Sequence, residues 1–189
     1  LTPQTGSAGS YTATISADDG VNDAVTASFA LTVLGEGTTE DTIVYRINNG
    51  GGLVDSVDSG PDWAPDTKDN PFEFLMLADC LANHSNPGQC STTYSPGNGY
   101  VIGTNDTGAP NGIFNNERYV HQNLYQMLWA FPVDEGDYVV NLYFAENWTN
   151  YVNGGPRNFD LFIEGTQLLD EFEIYEEAGG LNIAIVKSF

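Results

Sequence analysis

The sequence predicts an all-β protein, a jelly-roll-like antiparallel β-sandwich, and three observations carry that prediction. Apolar residues recur with period-two alternation in short stretches. Gly, Pro, Asn, Asp and Ser crowd the segments between them. No stretch keeps a long helical period. The chain has 189 residues, 41% hydrophobic and 12% aromatic, enough for one large or two modest domains that fold without a cofactor.

The elements follow in order. "YTATISA" sets Tyr11, Ala13, Ile15 and Ala17 on one face, and "AVTASFALTVL" repeats the pattern with Val25, Ala27, Phe29, Leu31 and Val33. The connector "DDGVND" supplies turn chemistry. A lone hairpin is marginal in water, so these strands need partners. They resemble the last two strands of immunoglobulin-like or cadherin-like modules of bacterial surface proteins. Residues 1–34 are therefore expected to be such a strand pair, residues 35–42 ("GEGTTEDT") a linker, and residues 43–189 a second domain. In "IVYRIN", Ile43, Tyr45 and Ile47 alternate against Val44, Arg46 and Asn48.

An irregular region spans roughly 49–112, with "PFEFLMLADCLA" inside it as a short helix. Loops of this length are functional or clipped, and Cys80 and Cys90 fit a short-loop disulfide, with free thiols as the alternative. Only His84 lies near them, too few ligands for zinc. Strands then follow in "LWAFPV", "DYVVNLYFAE", "NFDLFIEG", "QLLDEFEIY" and "LNIAIVKSF".

Charge narrows the partners. The 26 acidic against 5 basic residues give a formal net charge of −21. Such a surface repels phosphate backbones and anionic lipid, so neither nucleic acid nor membrane insertion is expected. Acidity of this degree suits an extracellular or cell-surface location, where salt screens self-repulsion. No cofactor is required. Two acidic clusters, Asp55/Asp58/Asp62 and Asp18/Asp19/Asp23, leave Ca²⁺ open against plain surface charge, since calcium takes six to eight oxygens and neither is an EF-hand. Asn83, Asn105 and Asn147 head Asn-x-Ser/Thr sequons.

Several motifs in order carry a family resemblance: "YRINNGGG" (45–52), "WAPDT" (63–67), "TGAPNGIFNNERY" (107–119), "FPVDEGDYVVNLYFAENW" (131–148) and "GGPRNFDLFIEGTQLLDEFEIYEEAGG" (154–180). From about Ile43 to Phe189 the chain resembles a malectin domain. The resemblance implies a sandwich that binds carbohydrate through edge loops without turnover, so the protein is expected not to be an enzyme. It places ligand-contacting aromatics at Tyr119 and Trp148, with a third at Tyr94 or Tyr100. It also implies further strands beyond Phe189, holding the family's ligand aspartate, and a secreted, bacterial setting.

Sugar recognition needs flat apolar faces for C–H surfaces and fixed polar groups for hydroxyls. "AENWTNY" offers Glu146, Asn147, Trp148, Asn150 and Tyr151 beside one another. The expected site is Tyr119, Trp148, Asn147, Tyr100 and Tyr151. Trp148 lies just past its strand, a rim platform, with a core position as the alternative. Trp129 reads as core, and Trp63 as a loop pin. "NNGGG" either lets backbone approach a ligand or is an ordinary turn. No nucleophile–His–Asp set surrounds His84 or His121. Two functions follow: a lectin-like module binding a glycan or polysaccharide, or a structural subunit of an extracellular fibre or adhesin stalk. The latter would assemble through strand complementation with neighbouring copies.

Overall fold

In the computed structural model the described residues are 9–17, 25–27, 30–35, 42–76, 92–94, 100–120, 126–149 and 157–189, with backbone alone up to residue 35 and at residues 92 and 120. A four-stranded sheet runs in the order β12 (Thr166–Glu173), β11 (Asn158–Ile163), β1 (Gly9–Ala17) and β9 (Gln126–Val133). A six-stranded sheet runs β5 (Ala64–Asp66), β4 (Thr42–Asn49), β3 (Ala30–Gly35), β10 (Tyr138–Ala145), β13 (Ile183–Ser188) and β7 (Thr104–Asn105). A small third sheet sets β8 (Glu117–Val120) between β2 (Val25–Ala27) and β6 (Thr92–Tyr94). Pairing is antiparallel except at the two edges of the six-stranded sheet, where β5 and β7 join parallel. The all-β sandwich expected from the sequence is the architecture found.

The N-terminal strand pair expected from the sequence is three strands, the second being divided into β2 and β3, and β1, β2 and β3 lie in three different sheets. β1 lies between β9 and β11, and β3 between β4 and β10. Gly35 stands opposite Thr42 across the β3–β4 ladder. The boundary expected at residues 35–42 therefore does not separate one sheet from another.

Alternation explains the core. β9 buries Met127, Trp129 and Phe131, every second residue, against Phe159 and Leu161 of β11 and Leu142 and Phe144 of β10. Trp129 is 1% exposed and stacks on Phe131 at 5.8 Å between centroids, so its reading as core is borne out. A second apolar cluster covers the outer face of the six-stranded sheet. Trp63, Ile113 and Phe114 from loops pack there on Ala145 and Ala184. Trp63 meets Tyr143 edge-on at 5.3 Å, and the Arg46 guanidinium lies 4.7 Å above its ring. Val54 and Trp63 exchange both backbone hydrogen bonds. Trp63 is a loop pin, as read.

The short helix expected in "PFEFLMLADCLA" is not formed over its described part, residues 71–76. Phe72 and Phe74 both pack against the main core, and a helix would send residues two apart to nearly opposite sides. The segment instead turns and bridges β9: the Met76 N–H donates to the Leu128 carbonyl, and Ala130 N–H to that of Phe74. The strand expected to run through "EIY" stops at Glu173 and becomes α1 (Ile174–Ala178), where the Glu173 carboxylate accepts the Glu176 N–H. The "EG" turn between β11 and β12 has φ of 52° at Glu164 and 75° at Gly165, the primed geometry that matches strand twist in a two-residue hairpin.

Candidate functional site

Strand β8 organises the site. Glu117 and Tyr119 are two apart and share one face, while Arg118 points to the other. β6 sets Tyr94 opposite Glu117, and directly opposed residues in an antiparallel pair face the same side. Tyr100 packs on Tyr94 with ring centroids 6.1 Å apart, and its N–H donates to the Asn115 carbonyl. Tyr100 and Glu117 lie close enough for the Glu117 charge to act on the phenol. Tyr94 is 49% exposed, and Tyr100 and Tyr119 are half-buried.

The end of β10 supplies the rest. Glu146 is buried, ion-paired with Arg157, and accepts the Trp148 N–H at 2.8 Å. Arg157, immediately before β11, places its guanidinium 4.8 Å from the Trp148 ring centroid. Strand "FAENW" therefore ends in Glu and Trp because the carboxylate holds both the tryptophan backbone and the cation stacked on its ring. The Trp148 ring is partly exposed.

The electrostatics are unusual. Two buried carboxylates feel one guanidinium: Glu146 is ion-paired with Arg157, and Glu117 is reached by its charge alone. Burial pushes the Glu117 carboxyl up to about 7, with Arg157 opposing and Glu146 reinforcing. Burial likewise raises Glu146, against the pull of Arg157. Tyr100 and Tyr119 are raised, burial first and Glu117 next.

The opposite face of β8 is settled differently. Arg118 pairs with Asp66 through two side-chain contacts, one at 2.6 Å, and also donates to the Asp66 and Thr67 carbonyls. Asp66 additionally accepts the Gly50 and Phe72 N–H groups. Gly50 has φ of +84°, and a Cβ there would lie 2.2 Å from the Glu117 carbonyl oxygen. Within "NNGGG", Gly50 is thus required by close packing on β8, whereas Gly52 has nothing within 4 Å.

Of the expected residues, Tyr100 and Tyr119 lie near Glu117, and Trp148 lies on Arg157, whose charge also reaches Tyr100 and Glu117. Asn147 is 2% exposed and its amide donates to the Phe114 carbonyl at 3.0 Å, so it fastens the rim from beneath. Tyr151, Cys80 and Cys90 lie outside the described residues, as do Asp18, Asp19 and Asp23. In the other acidic cluster Asp58 pairs with Arg46, and Asp62 accepts the Ser56 N–H. Among the described residues no group of three or more His, Cys, Asp or Glu is placed to hold a metal. Glu117 and Arg157 were missed as site residues, although alternation in "NNERY" puts Glu117 on the face of Tyr119.

The family model for the malectin domain matches residues 43–189. A probable leucine-rich repeat receptor-like serine/threonine-protein kinase of Arabidopsis thaliana is 41% identical over 64 residues, covering 32% of this chain and 6% of that protein. No solved structure matches the chain.

Proposed function

The chain belongs to the malectin domain family, whose members are carbohydrate-binding, non-catalytic domains, and from that premise we propose that it binds an uncharged saccharide at the Tyr94–Tyr100–Tyr119–Trp148 edge. One observation carries this reading: partly exposed rings gather at one rim over a buried Glu117–Glu146–Arg157 network. Rings held by buried partners offer flat faces at little further ordering cost.

The case for an uncharged ligand comes from the whole sequence. It has five Lys and Arg. Arg46, Arg118, Arg157 and Lys187 are each paired with a carboxylate, and Lys68 sits in an exposed turn. A uronate or sulfated sugar would meet a network with two carboxylates to one guanidinium. The setting we propose is a secreted or surface protein. Among the described residues no helix is long and apolar enough to cross a membrane. The N-terminal strands β1 and β3 find neighbours on both sides within the chain.

Titration with glucose disaccharides, neutral glycans and a uronate oligosaccharide, followed by tryptophan fluorescence, tests the proposal. A saturable response to a neutral sugar, lost in Trp148→Ala, is expected. A folded protein silent across the panel would overturn it.

A further inference from the structure

Resting on the sugar-site reading, we propose that Arg157 is the positioning residue of the Trp148 platform: its guanidinium covers one face of the ring and holds it at the rim, so that a saccharide stacks on the other face.

Three contacts join three residues. Glu146 follows β10 and Arg157 precedes β11, so their buried ion pair links the ends of strands from the two large sheets. The carboxylate oxygen in that pair, Oε1, also accepts the Trp148 N–H at 2.8 Å. This bond fixes the tryptophan backbone. The Arg157 guanidinium, 4.8 Å from the indole centroid, fixes the ring. Glu146 thus reaches Trp148 twice, once through the main chain and once through Arg157.

The donors of the two buried arginines separate a platform from a pin. Arg118 commits its guanidinium to the Asp66 carboxylate and to the Asp66 and Thr67 carbonyls. Arg157 keeps a buried Nε without a hydrogen-bond partner, and an unmet buried donor is costly. A guanidinium oriented for hydrogen bonding would turn that donor to an acceptor. This one is oriented by the ring. Its plane can lie on an aromatic face while it pairs with a carboxylate, whereas an ammonium is a point charge with no face to stack. Trp148 stays partly exposed, and the face that Arg157 leaves open is offered to the ligand already oriented. Binding then needs little further ordering of the side chain.

Two measurements test this on the whole chain, in the wild type, Arg157→Lys, Arg157→Met and Trp148→Phe. Maltose affinity is the first. Acrylamide quenching of tryptophan emission without sugar is the second. Trp63 and Trp129 are each 1% exposed, so the quenchable emission belongs to Trp148, and Trp148→Phe checks that assignment. Arg157→Lys keeps a cation for Glu146 and loses the plane over the ring. Its urea midpoint should fall only slightly. Its maltose affinity should drop roughly fivefold, the scale of ordering one side chain on binding, and quenching of Trp148 should rise. Arg157→Met, which loses the cation as well, should show both effects with a clearly lower midpoint. An Arg157→Lys protein with wild-type affinity and quenching would make Arg157 an ion-pair partner alone and overturn the proposal. Affinity unchanged while quenching rises would overturn it too. Raised quenching in Arg157→Lys with no maltose response even in the wild type overturns the sugar reading and upholds the hold on the ring. Should Arg157→Met fail to fold, Arg157→Lys decides.

Discussion

Two buried guanidiniums stand back to back across β8, and the protein treats them in opposite ways. Arg118, 1% exposed, meets one carboxylate, and that carboxylate is filled by further backbone donors. Among the described residues Asp66 is its carboxylate partner, and the pair ties "NERY" to "WAPDT" across 52 residues of sequence. Arg157 meets the Glu146 carboxylate and a tryptophan face, its charge also reaches Glu117, and its Nε has no hydrogen-bond partner. The closed pair is a structural pin. The open network leaves one carboxylate in excess beneath an aromatic rim, and excess charge in a buried place is where pH and ligand can act. Stability and recognition are thus built from the same residue types, separated by whether the charges close.

Truncating the closed pair should do the most damage. Arg118→Ala leaves Asp66 buried and unpaired, and should lower unfolding free energy by about 3–5 kcal/mol in urea titrations. Arg157→Ala should cost less at pH 5 than at pH 8, since Glu117 and Glu146 can take up protons instead. Equal, pH-independent losses in the two variants would erase the contrast drawn here.

The next effect is the pH profile itself. The Glu117 carboxyl is raised from an ordinary 4.5 to about 7, so the folded state binds a proton that the unfolded state releases. Its contribution is fully present below about pH 4.5 and is lost as pH rises through 7, on the order of 3 kcal/mol. Glu117→Gln should flatten that slope in denaturation midpoints measured from pH 4.5 to 8. A wild-type stability that climbs over the same interval would contradict the assignment. Asp58 acts in a different window: Arg46 holds it at about 2, so its contribution is lost as pH falls from about 4 toward 2.

Smaller still is the tryptophan at the rim. Trp148→Ala should weaken sugar binding at least tenfold while costing about 1 kcal/mol of stability, the scale of one cation–π contact. A stability loss of the size expected for a core aromatic, about 3–5 kcal/mol, would move Trp148 from the rim to the core. At the bottom of the scale, Lys187 pairs with Glu177 with both side chains partly exposed. Lys187→Ala should shift stability by less than about 1 kcal/mol.

Much of this was legible beforehand, and the reasons differ by element. Strands β9, β10, β11 and β13 could be read because burying one face forces period-two alternation, as in Met127, Trp129 and Phe131. Trp63 and Trp129 could be assigned because flanking proline and turn residues mark the first as loop and alternation marks the second as strand. Over residues 71–76 the helix expected in "PFEFLMLADCLA" does not form, because Phe72 and Phe74 answer to a distant core, which local propensity does not see. Asn147 looked like a sugar contact by its position in "AENWTNY", yet the carbonyl of Phe114, 33 residues away, claims its amide.

By itself, then, the sequence determined the all-β class, the family, the order of the main strands and the neighbourhood of the proposed rim at Tyr119 and Trp148. Those properties depend on patterns within a few residues or on motifs in a fixed order. Only the tertiary structure decided which carboxylate meets which guanidinium. Arg118 and Arg157, Asp66, Glu117 and Glu146 look alike in sequence, all charged and all at strand ends or loops. Their roles separate once β8 turns one residue of "ERY" toward Asp66 and its neighbours toward the rim, because a buried charge is defined by the partners folding brings to it.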